Sequence, residues 1–452
     1  MSEAGVLAVA ARVWRGTVAH VPRDPFRVGA EALEGWADGA VAVDAGGRIV
    51  EVGAWDEVRA RHPSSAVEDR RGAWLLPGFV DAHVHYPQVG VLGGLGLRLL
   101  DWLETRTWPH EVRFADAVFA RSEARRFLEL LARNGTTSAL VFGAHQAVAM
   151  EAFFVEAAAS GLRITAGLTV GDVGLPEELR TTPELAYAEA SFLARRWHGL
   201  GRLRYAVTPR FSVSSSGALL AACGAVLRDV PGVWATSHLN ETPEEIALVR
   251  ARFPGAADYL ATYEAAGLVG PRSVFAHDVH PTGSELARLA AAGAAIAHCP
   301  TSNHALGSGL FPLARHVEAG VRVALGTDVG AGASLSMCGE ATAAYAGQML
   351  LGAEGAPLGV AHLLWWATAA GARALGLDDR VGDLRPGRDA DLVALRPPPG
   401  STLEAALAHA ADLPSALATL IALAREEAVE ATWVAGDPVW ERPVPGRPGV
   451  PS

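Results

Sequence analysis

The chain of 452 residues contains no lysine, and all 38 of its basic side chains are arginine. That absence removes whole mechanisms. A Walker A phosphate loop needs its lysine, and pyridoxal-phosphate enzymes and class I aldolases need a lysine amine for a Schiff base. A metal pair bridged by a carbamylated lysine is excluded too. GC-rich coding would account for arginine throughout, and the chemical exclusions hold whatever its origin. Cysteine is nearly as scarce. Cys223, Cys299 and Cys338 are the only three and form no CxxC, which argues against a zinc ribbon, an iron–sulfur cluster or a disulfide framework. The longest uncharged apolar runs, such as 289–297, are about half what a membrane span needs. The opening MSEAGVLAVAARVW starts acidic and its apolar run is cut at Arg12, so it does not read as a signal peptide. Positive charge is in deficit: 38 basic against 49 acidic residues leaves −11, whereas nucleic-acid binding rests on clustered cations. A soluble, cytoplasmic protein with neither a nucleic-acid nor a membrane partner is expected.

What is present is apolar material in quantity. Half of the residues are hydrophobic and 19% are charged, enough for a large core and no basis for disorder. The first ~75 residues read as short strands with turns; VAVDAGGRIVEVG alternates apolar and polar positions around a Gly-Gly turn. The last ~70 residues hold similar pieces, DADLVALRP and EATWVAGDPVW, around an alanine-rich helical stretch near 402–426. Neither end makes a convincing domain alone. Together they predict one small β-sandwich assembled from residues 1–76 and 381–452, with residues 77–380 inserted between them.

The middle has another rhythm. Apolar strand candidates recur, each followed by a helical pattern: GFVDAH (78–83), TTSALVFG (136–143), ITAGLTV (164–170), RYAVTP (204–209), VWATSH (233–238), SVFAH (273–277), AAIAH (294–298) and VRVALGTD (321–328). Eight such units predict a closed (β/α)8 barrel, an α/β fold of the TIM type. An open doubly wound sheet is the alternative, but no GxGxxG follows the first strand. After VWATSH, Thr242 is placed to cap a helix that begins at Pro243, with Glu245 closing a capping box. His238 and Glu241 then lie at the C-terminal end of a strand, the face on which barrel active sites are built.

Five of the eight strand candidates end in histidine or aspartate. His83 and His85 straddle Val84, and a period of two puts both imidazoles on one side, toward the lumen. An HxH alone is weak evidence. Convergence strengthens it: His238, His277 and Asp328 are predicted to end the fifth, sixth and eighth strands and so point at the same mouth. Three imidazoles and one carboxylate make a tetrahedral set of nitrogen and oxygen donors, suited to zinc with a water bound in addition. His277 reads either as a further ligand or as a group holding that water. His298, leading into Cys299-Pro300, reads as structural. One metal is favoured over two, although a bridging glutamate would still allow a pair.

PGFVDAHVH, SHLNE, FAH and LGTD, in that order, resemble the amidohydrolase superfamily, and VGDLRPGRDADLVAL is similar to its return strand into a terminal sandwich. Its mononuclear deaminase branch has HxH, His, His and Asp, with a glutamate three residues after the third histidine, here Glu241. Within that branch the likeness is closer to members that deaminate guanine. It rests on HVHYPQ (83–88), LLDWLETRTWPHEVRF (99–114), VTPRFSVS (207–214), SHLNET (237–242), AHCPTSN (297–303) and LGTDVGAG (325–332).

The resemblance implies one zinc ion per chain, held by His83, His85, His238 and Asp328. It also implies guanine as the small-molecule partner, bound by Gln88, Arg210 and Phe211 beside His85, His238, Glu241 and Asp328, in a homodimer. Guanine offers O6 and N7 acceptors on one edge, which suits N–H donors. The alternative for Arg210 is a surface salt bridge. A metal lowers the pKa of its water toward ~7 and so supplies hydroxide at neutral pH. Asp328 would take the water's proton, Glu241 would protonate ring N3, and His277 would steady the attacking oxygen, yielding xanthine and ammonia. The metal set alone does not separate this reading from an aminohydrolase for s-triazines, 8-oxoguanine or adenosine. A non-catalytic barrel would lack ligands. The stretch 86–114, rich in glycine and tryptophan, reads as a lid or a dimer surface, with Trp102 and Trp108 either core or substrate wall.

Overall fold

A computed structural model describes residues 10–443, so the first nine residues of the opening segment lie outside the described residues. The chain begins with β1 (Arg12–His20), β2 (Glu34–Val43), β3 (Ile49–Ala54) and β4 (Ala66–Pro77). The barrel strands follow as β5 (Phe79–His85), β6 (Thr136–Phe142), β7 (Arg163–Gly167), the two-residue β8 (Thr169–Val170) and β9 (Arg204–Pro209). They continue as β10 (Trp234–Leu239), β11 (Ser273–His277), β12 (Ala295–His298) and β13 (Arg322–Leu325). The chain closes with β14 (Leu392–Leu395), β15 (Val429–Val434) and β16 (Asp437–Glu441).

Strands from both ends share one seven-stranded sheet, in the order β16-β15-β14-β4-β1-β2-β3. Its apolar side chains gather from both termini: Trp14, Val18, Val41 and Leu75 pack with Leu392 and Trp433. Trp14 and Trp433 lie with ring centroids 5.6 Å apart. The alanine-rich stretch supplies two helices, Thr402–Leu407 and Leu413–Leu423. Among the described residues no helix is long and apolar enough to cross a membrane.

The second sheet is the barrel. Eight strands run in the order β5-β6-β7-β9-β10-β11-β12-β13, all parallel, with β8 paired to β9 at the side. Parallel strands covered on both faces read as near-continuous apolar runs, which is why these segments stood out. Val80, Ala82, Leu140, Ala206, Val274, Ala295, Ala297 and Ala324 meet in one cluster at the lumen. Between Asp81 and Val84 the pairing of β5 with β6 shifts register. This irregularity allows Val80 and Ala82 to fill the lumen while His83 and His85 reach its mouth.

The expected eighth strand, 321–328, is shorter than its apolar run suggested, for β13 ends at Leu325. Thr327 leaves the ladder because its N–H and hydroxyl both donate to the buried carboxylate of Asp81, at 3.0 and 2.6 Å. Asp328 then turns with φ +48°. The segment beyond the strand closes the barrel: Asp328 N–H donates to the His83 carbonyl at 2.8 Å, and His85 N–H to the Val329 carbonyl at 3.0 Å. Gly326 has no room for a side chain at this seam, since a Cβ there would lie 2.7 Å from Cβ of His83. Over the mouth, the segment after β5 runs in successive helical turns, Leu99–Trp102, Leu103–Thr107, Trp108–Glu111 and Val112–Ala115.

Candidate active site

Four side chains converge at the barrel mouth. Ligand atoms of His83, His85, His238 and Asp328 all lie within 4.8 Å of one another, and all four residues are buried. Nε2 of His85 is 3.2 Å from Nε2 of His83 and 3.3 Å from Nε2 of His238. Oδ1 of Asp328 lies 3.1 Å from Nε2 of both His83 and His85. Nδ1 of His238 donates to the Arg210 carbonyl at 2.6 Å, so its Nε2 is a bare lone pair.

Burial pushes all three imidazoles toward the neutral form, His85 to about 4 and His238 well below its ordinary value. Burial opposes ionisation of Asp328, but its hydrogen bonds with His83 and His85 hold the carboxyl well below the usual range. Three neutral nitrogens and one anionic oxygen crowd a point where few hydrogens can separate them. Donor atoms bonded at ~2.1 Å to a tetrahedral ion lie ~3.4 Å apart, close to these spacings. The set fits one divalent cation.

His277 stands beside this set. Its Nδ1 lies 2.9 Å from Oδ1 of Asn303, while its Nε2 faces Glu241 Oε2 at 3.5 Å and Asp328 Oδ2 at 3.7 Å. His277 and Asp328 both hold left-handed backbone, φ +72° and +48°, a conformation that costs non-glycine residues ~1–3 kcal/mol and clusters at functional sites. Burial, with the Asp328 charge nearby, pushes the Glu241 carboxyl up to about 8. Ser308 donates to Glu241 Oε1 at 3.0 Å.

The capping expectation needs correction. Thr242 does cap the helix Pro243–Arg252 by accepting from Glu245 N–H. The Glu245 carboxylate does not close a box on Thr242. It accepts from the Glu241 backbone N–H at 2.9 Å and from the Tyr259 hydroxyl at 2.7 Å, because Glu241 rather than the cap lies across from it. Glu245 therefore anchors the backbone of Glu241.

These groups open onto a cavity lined by His85, Gln88, Leu99, Trp102, Leu103, Arg210, Phe211, His238, Glu241, His277, Leu306, Asp328 and Ala331. Trp102 is part of the wall, and the half-buried Trp108 packs on the apolar cluster behind it. Arg210 makes no surface salt bridge. It is buried, and its Nη1 donates to Oε2 of the buried Glu111 at 2.7 Å. Gln88 Nε2 donates to the other oxygen of Glu111 at 2.8 Å. His298 lies off the cavity, stacked on Phe311 with centroids 4.3 Å apart.

Sequence reasoning missed the supporting residues. Glu111 sits inside the quoted motif LLDWLETRTWPHEVRF, where an acidic residue among aromatics was the available signal. Asn303 and Ser302 sit in AHCPTSN, and Ser302 Oγ donates to Asp328 Oδ2 at 2.6 Å. Asp81 also escaped notice. It lies two residues before His83 and accepts the His83 N–H at 3.1 Å.

Comparison with known proteins places these features in context. Residues 74–439 match the model of the Amidohydrolase family. The chain is 57% identical over 435 residues to a probable guanine deaminase of Deinococcus radiodurans, covering 95% of this chain and 99% of the relative. Its fold matches the solved E. coli guanine deaminase with a TM-score of 0.90 at 36% identity, over 96% of this chain and 99% of that one. It also matches an adenosine deaminase from Xanthomonas campestris solved with bound zinc, with a TM-score of 0.80 at 27% identity, over 95% and 93% of the two chains.

Proposed function

The chain belongs to the amidohydrolase family, and from that premise we propose that it hydrolyses guanine to xanthine and ammonia at a single zinc site. The observation that carries this is a buried three-histidine, one-carboxylate cluster opening onto a cavity that Gln88 and Arg210 also line. His83, His85, His238 and Asp328 would hold the ion. Zinc bound there supplies the nucleophile by lowering the pKa of a coordinated water.

The chain's own residues do the rest. The purine lies between the metal cluster and the Gln88–Arg210 wall, against Phe211, with C2 toward Asp328. Asp328 Oδ2 takes one hydrogen of the water. Glu241, in its protonated form, gives its proton to ring N3 and makes C2 electrophilic. His277 Nε2, facing both carboxyls, steadies the oxygen as it adds. When the C2–amine bond breaks, one of the water's protons leaves on ammonia and the other restores Glu241. The helical cover over residues 99–115 screens this exchange from bulk water.

In this reading residues 77–380 carry the chemistry, while residues 1–76 and 381–452 support them. Ammonia release from guanine by the zinc-loaded protein, with xanthine as the second product, is the test. Absence of turnover on guanine alongside turnover of another aminopurine or a triazine overturns the substrate assignment.

A further inference from the structure

We infer that Glu111 is a positioning residue that makes the cavity accept a neutral oxopurine and reject an anionic one, an inference that rests on the guanine-hydrolysing reading above. Glu111 touches neither the metal cluster nor the cavity surface. It is 2% exposed and belongs to the helical cover. Its two oxygens are divided between the two polar groups of the purine wall, Gln88 at 2.8 Å and Arg210 at 2.7 Å.

The remaining hydrogen bonds decide what that wall can offer. Gln88 Oε1 accepts from Gly330 N–H at 3.1 Å, so the amide cannot flip without losing two bonds. One hydrogen on Gln88 Nε2 is left over. Nη1 of Arg210 is also occupied, by Glu111 and by Nε2 of His145 at 3.1 Å. Nε and Nη2 are left over. The wall therefore presents N–H donors, which match the O6 and N7 acceptors of guanine and oppose the amino group of adenine.

Charge gives the second half of the argument. A buried guanidinium attracts an anion strongly unless it is already paired. Burial would push the Glu111 carboxyl up, but the Arg210 charge holds it well below the usual range, so the pair is ionised and nearly neutral overall. Arg210 is then a directional donor without a free charge. Xanthine is more acidic than guanine, so an unpaired Arg210 would retain the product as its monoanion. Glu111 thus favours entry of the neutral substrate and release of the acidic product.

The test compares the zinc-loaded parent with Glu111→Gln, which keeps the shape of the side chain and removes its charge. At mildly alkaline pH, where xanthine ionises, the variant should raise KM for guanine at least ~10-fold while its affinity for xanthine tightens several-fold. A merely structural role would weaken both ligands. Parallel weakening, or no change in either, overturns the inference. If Glu111→Gln does not fold, Glu111→Asp serves: the withdrawn carboxylate should raise KM at least ~10-fold with kcat and zinc content nearly unchanged. An unchanged KM overturns the inference there. Xanthine binding is read by calorimetry without turnover, and parental activity on guanine is scored separately. Failure of the substrate reading is therefore distinguishable from failure of the role of Glu111.

Discussion

Nδ1 of His238 donates to the carbonyl oxygen of Arg210 at 2.6 Å, so one residue orients a metal-ligand candidate with its backbone and faces the purine cavity with its side chain. This hydrogen bond ties the four-residue cluster to the cavity wall. Such outer partners fix the tautomer and direction of a ligating histidine.

Metal analysis should find one divalent ion per chain. Asp328→Asn removes the only anionic donor and should lower both zinc content and ammonia release. Gly326→Ala probes the same site from behind, because the new Cβ would fall 2.7 Å from Cβ of His83. It should weaken zinc retention with the secondary structure intact by circular dichroism. Full activity in a thoroughly metal-free preparation contradicts the assignment.

Glu241→Gln preserves shape but cannot exchange a proton. It should lose at least ~10²-fold in kcat while still binding guanine, the usual size of a general acid–base effect. Because burial pushes the parental carboxyl up to about 8, the parent should lose kcat as pH rises through that region. Steady-state kinetics on both proteins check this, and a variant with parental kcat assigns the proton to another group.

Arg210→Met should cost ~2–4 kcal/mol of transition-state stabilisation on guanine, the scale of a charge-assisted hydrogen bond. Adenine should be nearly inert with the parent, because it places an amino group where the wall offers donors; such mismatches reach ~10⁴ in kcat/KM. Comparable rates on adenine, or a variant equal to the parent, point to a different substrate.

Burial drops the His20 imidazole to about 4, and its Nδ1 accepts from Leu384 N–H at 3.1 Å. The folded value lies below the unfolded one, so this stability is full above pH ~6.5 and is lost as pH falls toward ~4, up to ~3 kcal/mol. His20→Gln keeps an acceptor that does not titrate. Its melting temperature should fall less steeply than the parent's across that acid range. Identical acid limbs would remove His20 as the cause.

Much of this protein is written in local pattern. Apolar strand runs and the helix starts between them announce a parallel barrel, because burial on both faces leaves a signature in each segment taken singly. His238 and His277 were legible for the same reason, as histidines at the C-terminal ends of their own strands; His83 and His85 were legible as a pair, but they reach the mouth only through the register shift between Asp81 and Val84. Asp328 was legible as a residue but not in its geometry, since its turn depends on Thr327 bonding to Asp81, 246 positions away. The bond of Glu245 to the Glu241 backbone, the grip of Asn303 on His277 and the division of Glu111 between Gln88 and Arg210 depend on tertiary geometry. Glu111 and Arg210 are 99 residues apart, and they meet only after the barrel closes and the cover folds over its mouth. Periodicity determines which face a side chain leaves from; closure determines which charge it meets there.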